Sequence, residues 1–247
     1  MHTWLCGQGP LWLVIVGLLL LVLVGTVTDF DRALSACFYD PSVPHGWFLH
    51  DASPWIELYR YGEYPAIGMA IGAFLALLGS VMRRVWVDYR RGCLVVVLAL
   101  ALGPGLLVNG LFKPLWGRPR PRHIVQFNGS QAYHPWWQPA GLGAGKSFPS
   151  GHASMGYILA VATSLLPGRR RVWWRRGIFI GALVYGTLLG VTRIVQGGHF
   201  ASDVAWAGIL MYGTILVLRV TLQRSSLVTY SSQNVVHTAL EPPHRHC

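Results

Sequence analysis

Charge is what this chain most lacks. Of 247 residues only 12% are charged, and just nine are acidic. A soluble domain carries about 25% charged residues, so half the expected complement is missing. That excludes a disordered chain and speaks against an ordinary cytosolic enzyme. Cysteine is sparse as well: Cys6, Cys37, Cys93 and Cys247 show no C-x-x-C spacing. They fit neither a zinc site nor a disulfide framework, and no role is assigned to them. What fills the space is apolar, with 53% hydrophobic residues, 12% aromatics and a mean hydropathy of +0.42. This balance predicts an all-α, polytopic membrane helix bundle.

Six apolar runs approach the ~20 residues (range ~17–25) that cross a hydrocarbon core. They cover 11–27, 64–82, 93–112, 151–166, 177–195 and 203–222. The first could pass for a signal peptide, but Met1–Pro10 carries no Lys or Arg and no A-x-A site follows. A retained helix is therefore expected. In the fifth run Gly186 and Gly190 form a G-x-x-x-G, read as close helix packing. Residues 1–223 make one membrane domain, and 224–247 a polar tail expected to be mobile and without an assigned role.

The scarce charges are unevenly placed. Lys and Arg number 20 against the nine acids, a formal +11. They fall in short clusters between apolar runs rather than along one polar face, so nucleic acid is not the expected partner. Arg83, Arg84, Arg90 and Arg91 follow run two, and Arg169, Arg170, Arg171, Arg175 and Arg176 follow run four. Cytoplasmic loops collect such residues, which puts these loops and both termini in the cytoplasm. Segment 29–63 holds six of the nine acids and only two arginines, and so lies outside. Segments 113–150 and 196–202 must then be outside too.

Those outer segments hold Lys113, Arg120, Ser150, Gly151, His152, Arg193, His199 and, at the start of run six, Asp203. A basic cluster on the non-cytoplasmic side runs against the usual charge bias, and an anion would justify it. A phosphate monoester needs fixed donors: guanidinium forks, an ammonium and backbone N–H groups at a helix start. Lys113, Arg120 and Arg193 supply the charges. Ser150 and Gly151 open run four, where glycine admits close backbone approach. His199 and Asp203, four apart, would share a helix face. The carboxylate could then hold one ring nitrogen and leave the other to attack phosphorus. His152 is the matching general acid.

Asp203 is the only acid between Asp88 and Glu241. A two-metal site has no carboxylates to use there, and no cofactor is expected. A zinc site from His123, His134, His152 and His199 is the metal alternative, though no H-x-x-x-H pair supports it.

Three motifs then stand out: Lys113–Pro121 reads K-x6-R-P, Pro149–His152 reads P-S-G-H, and Arg193–Asp203 reads R-x5-H-x3-D. In this order they resemble the type 2 phosphatidic acid phosphatase superfamily. That resemblance implies phosphate binding by Lys113, Arg120, Arg193, Ser150 and Gly151. It makes His152 the acid, His199 the nucleophile and Asp203 its orienting partner. Thr192 stands where the family usually has Ser, with a hydroxyl retained. Arg118-Pro119 offers a second R-P whose role stays open. A narrower resemblance, to the bacterial lipid A 4′-phosphatase branch, rests on 103–129 (GPGLLVNGLFKPLWGRPRPRHIVQFNG) and 196–204 (QGGHFASDV), and more weakly on Cys37-Phe38-Tyr39-Asp40. It implies a bacterial inner-membrane enzyme facing the periplasm, with a phosphorylated membrane lipid as partner. Related members act on undecaprenyl diphosphate or phosphatidylglycerol phosphate, so the lipid stays open.

Tyr133, Trp136 and Trp137 would sit at headgroup depth, bordering a substrate entrance or anchoring a loop. Two other classes share parts of the pattern. A lipid phosphotransferase would show acceptor-dependent product. An anion transporter would need charge along its path, whereas runs one to three carry none between their ends, where each would cost ~2.5–3.5 kcal/mol or more.

Overall fold

The computed structural model describes residues 9–82, 87–166 and 172–240, the side chains of 9–10, 81–82, 87–88 and 223–240 excepted. All named elements among them are helical. In chain order they are α1 (Gly9–Val27), α2 (Phe30–Ala36), α3 (Trp55–Tyr61), α4 (Tyr64–Met82) and α5 (Val87–Leu100). A π-helical stretch, Ala101–Phe112, leads into α6 (Lys113–Trp116). Then come α7 (Gly151–Tyr157), a 3-10 stretch Ile158–Leu165, α8 (Val172–Val195) and α9 (Ala201–Leu240). Short 3-10 turns at Pro44–Gly46, Pro121–His123 and Val125–Phe127 shape the long connections.

Apolar burial holds the bundle together. Helix α1 packs on α9, α4 on α5 and α7 on α8, around a core that includes Val96, Ala99, Val108, Ile158, Val161, Ala207, Met211 and Ile215. The outward faces are apolar too: Leu13, Leu20 and Leu23 of α1, Leu75 and Leu78 of α4, and Val184 of α8 are exposed. So much uncovered apolar surface suits a hydrocarbon surrounding and not water.

Four described helices are long and apolar enough to cross a membrane: Trp55–Ser80, Tyr89–His123, Val172–Val195 and Ala201–Leu222. The pair Leu11–Val27 and Phe30–Ala36, bent by 87°, makes a fifth if counted as one span. This is coarser than the expected six. The run at 151–166 is divided between the seven residues of α7 and the eight of the 3-10 stretch. It is therefore short in residues. A 3-10 helix rises about 2.0 Å per residue against about 1.5 Å for an α-helix, so together they still reach about 26 Å. Arg83, Arg84 and Arg169–Arg171, which oriented the chain in the sequence reading, lie outside the described residues, as do Cys6, Cys247 and both chain ends. Helix α9 continues to Leu240, into the segment read from the sequence as a polar tail.

Close helix crossings bring the site together. A Cβ on Gly156 would lie 2.5 Å from Gly186 Cα, and one on Gly186 would lie 2.2 Å from the Tyr157 ring. One on Gly190 would meet Val204 at 2.3 Å. The glycine pair of α8 therefore seats α7 at one position and α9 at the other. At the end where α7 and α9 begin and α8 stops, Trp47, Ile124, Phe127 and Phe200 form a second, smaller core. It pins the long connections over that end. Gly197, at φ +63, ends α8, and any Cβ there would strike the Trp47 ring at 2.2 Å.

Candidate active site

Three helix ends converge here. Ser150 caps α7, accepting a bond from the Ala153 N–H at 3.4 Å. Its own N–H donates to the Asp203 carbonyl at 3.1 Å, tying the start of α7 to the start of α9. Lys113, at the end of the π-helical stretch, donates to Asn109 Oδ1 at 2.7 Å, and Asn109 in turn donates to the Pro104 carbonyl at 2.7 Å. A Cβ added at Gly151 would lie 2.7 Å from Lys113 Nζ. The ammonium therefore lies over the opening turn of α7, and glycine is what admits it.

Arg193, near the end of α8, is only 4% exposed. Its Nη1 donates to Gln196 Oε1 at 2.6 Å, and its Cζ sits 4.4 Å from the Tyr59 ring centre. Its buried Nε has no hydrogen-bond partner among the described residues. Gln196 reaches across to the His50 carbonyl at 3.1 Å, so the loop ahead of α3 helps to set the guanidinium. Arg120 is half-buried on extended backbone. Lys113, Arg120 and Arg193 lie close enough to repel one another. Among the described residues none of the three forms an ion pair with a carboxylate.

His199 lies in the turn before α9, so it does not share a helix face with Asp203. It is 3% exposed. Its Nδ1 is 2.6 Å from the Ser147 carbonyl and 3.7 Å from Asp203 Oδ2. A carbonyl only accepts, so Nδ1 carries the hydrogen and Nε2 keeps a lone pair. Nε2 makes no hydrogen bond to the described protein. Burial holds the ring far below the usual histidine range, at about 3, against the favourable pull of Asp203 and together with repulsion from Arg193 and Lys113. It is neutral at ordinary pH.

Asp203 is fully buried. Its oxygens accept from Arg118 Nη1 at 2.5 Å, Ser147 Oγ at 2.6 Å and the Phe200 N–H at 2.9 Å. Ser147 thus links the carboxylate to the imidazole, through its hydroxyl on one side and its carbonyl on the other. Nothing in the sequence singled it out. The Arg118 question is resolved by its partners. Nε donates to the His134 carbonyl at 2.8 Å, Nη1 to Ser202 and Asp203, and Nη2 to Asp31 at 2.8 Å and Tyr133 at 3.4 Å. All five of its N–H groups are taken, so Arg118 is a buried support between two carboxylates.

His152, at the start of α7, completes the group. Its Nδ1 lies 3.3 Å from Glu63 Oε1 and its Nε2 lies 3.1 Å from the Tyr59 carbonyl. His123 and His134 do not join His152 and His199: among the described residues no three His, Cys, Asp or Glu side chains gather as metal ligands. The arrangement offers an unpaired imidazole nitrogen, uncompensated cations and a second imidazole. That is what nucleophilic displacement on a phosphoryl group requires.

Residues 92–226 match the PAP2 superfamily. A lipid A 4′-phosphatase of Francisella tularensis subsp. novicida is 37% identical over 68% of this chain and 75% of its own. Two proteins of Rhizobium etli are similar over shorter stretches. One is a lipid A 1-phosphatase, 37% identical over 46% of this chain and 43% of its own. The other is a lipid A 4′-phosphatase, 33% identical over 49% of this chain and 47% of its own. No solved structure matches the chain. With more than half its length matched by the family and its apolar helices long enough to span a bilayer, the chain belongs to the PAP2 superfamily as a multi-pass membrane phosphatase acting on phosphoric monoesters.

Proposed function

We propose that the protein removes a phosphate monoester from a membrane lipid through a phosphohistidine, and that the lipid is lipid A, cleaved at its 4′ position. One observation carries the reaction: Lys113, Arg120 and Arg193 lie near one another with no carboxylate ion pair among the described residues, and Lys113 and Arg193 act on a buried, neutral His199 whose Nε2 has no partner there. In the first step Nε2 attacks phosphorus, the P–O ester bond breaks, and His152 gives its proton to the leaving alkoxide. In the second, water attacks phosphorus and passes a proton to His152. The P–N bond breaks and inorganic phosphate leaves. Lys113, Arg120, Arg193, the Ser150 hydroxyl and the opening N–H of α7 at Gly151 neutralise the charge that builds on the phosphoryl oxygens. Asp203 stabilises the His199 ring as it becomes positive.

The loop charges support six crossings, with both termini in the cytoplasm and the site at the periplasmic face of the bacterial inner membrane. The ~26 Å reach of 151–165 would supply the short sixth crossing of a core ~30 Å thick. The choice of the 4′-phosphate rests on the Francisella relative, which matches over the longest stretch of the three.

The test is expression in a Gram-negative host, followed by mass spectrometry of extracted lipid A, with His199→Ala as control. Lipid A should lose one phosphate, assigned to the 4′ position by fragmentation, and polymyxin resistance should rise as surface charge falls. Purified protein should stay active in EDTA and be inhibited by orthovanadate. Bisphosphorylated lipid A in the host, with undecaprenyl diphosphate cleaved by the pure protein, would sink the substrate assignment and keep the chemistry.

A further inference from the structure

His152 is held in an unexpected way. Its Nδ1 faces a carboxylate oxygen of Glu63 at 3.3 Å and its Nε2 faces the Tyr59 carbonyl at 3.1 Å. Both partners are acceptors, so the ring satisfies both only when each nitrogen bears a hydrogen. The Tyr59 ring stacks on the imidazole, with centroids 5.0 Å apart and planes 17° apart. The same Tyr59 ring carries the Arg193 guanidinium.

Glu63 and Tyr59 come from the α3–α4 junction, well outside the three motifs. That junction is seated on α8 at close quarters: a Cβ on Gly62 would lie 2.4 Å from Leu189, and Tyr185 donates to the Gly62 carbonyl at 3.0 Å.

We propose that Glu63, with the Tyr59 carbonyl, is a positioning pair that favours the doubly protonated form of His152 and orients it as the proton donor to the leaving oxygen. This rests on the phosphatase reading above and adds a residue to it. The forces on the ring are opposed. Burial, the largest of them, acts with Arg193 and Lys113 against a charge there, and Glu63 and the Tyr59 carbonyl offset part of it. Glu63 is the only carboxylate within ion-pair distance of His152 among the described residues. Glu63 does not touch the reacting atoms. Its charge is also felt by Lys113 and Arg193, and the part of its effect that runs through His152 is the part that follows how much the leaving group needs a proton.

The experiment compares two substrates on purified full-length protein: an alkyl phosphate in detergent and p-nitrophenyl phosphate. An alkoxide needs protonation on departure, whereas nitrophenolate leaves without it. Glu63→Gln should lower kcat on the alkyl phosphate by about 10- to 100-fold with KM within about twofold, general acid catalysis being worth ~10²–10⁴ in all. On the aryl phosphate the loss should stay below about threefold. Glu63→Asp should restore part of the alkyl rate. Glu57→Gln, an exposed acid on α3, should leave the alkyl-to-aryl ratio where it was. Equal losses on both substrates, or no loss on the alkyl phosphate, would overturn the proposal. If the unaltered protein cleaves neither substrate, the phosphatase chemistry itself is wrong and this inference goes with it.

Discussion

At the scale of single residues, the site depends on what a hydrogen-bond partner does to a ring. The Ser147 carbonyl at 2.6 Å fixes the His199 tautomer, with Asp203 farther off at 3.7 Å. The sequence could suggest only the Asp203 pairing, since a backbone carbonyl leaves no mark in a string of residue types. The buried neutral ring has a measurable consequence. Its folded-state pKa, about 3, lies below the ordinary ~6.5, so the unfolded chain takes up a proton first as pH falls. The stability this ring contributes is complete above about pH 6.5. It is lost by roughly 1.4 kcal/mol per pH unit as pH drops towards 3. Thermal unfolding of the detergent-solubilised protein should therefore show a falling Tm between pH 7 and 5. His199→Asn should flatten that slope, and parallel slopes for the two proteins would refute the assignment.

At the scale of elements, glycines decide where helices meet. The G-x-x-x-G of Gly186 and Gly190 predicts close packing, and both Cβ positions are occupied by a neighbour, Tyr157 and Val204. A side chain at Gly186 would push α7 away from α8, and with it Ser150, Gly151 and His152. We expect Gly186→Val to destabilise by about 1–3 kcal/mol, the usual cost of overpacking, and to lower activity with it. Gly181, also on α8, has nothing within 4 Å of its Cβ position, and Gly181→Val should keep near-normal thermal stability. Equal Tm values for the two variants would contradict the packing account. The helical periods of α4 and α8 were readable from unbroken apolar runs. The 3-10 winding of Ile158–Leu165 and the extension of α9 to Leu240 were not, because winding responds to neighbours as well as to composition.

At the scale of the whole molecule, the orientation proposed from loop charge can be tested through a native thiol. Cys37 is free and exposed on the segment between α2 and α3 that the charge argument places outside. A variant retaining only Cys37 should react with a membrane-impermeant maleimide in intact spheroplasts. A variant carrying only Arg176→Cys, at an exposed position of the opposite side, should react only after lysis. The reverse pattern would invert the proposed topology.

Composition alone determined that this is an apolar, helical membrane chain, and the resemblance of its three motifs pointed to a phosphatase family, because hydropathy runs and short-range spacing are properties of the string. Only the tertiary structure decided which charges near the site pair with one another. Arg118 and Arg120 sit two residues apart beside like prolines, and the string cannot rank them. Asp31, 87 residues away in sequence, and Asp203 claim Arg118, leaving Arg120 without an ion-pair partner among the described residues. Glu63 reaches His152 in the same way, because α3 is seated on α8. Contacts of that range are set by helix packing, and a buried charge takes its role from whichever opposite charge the packing places beside it.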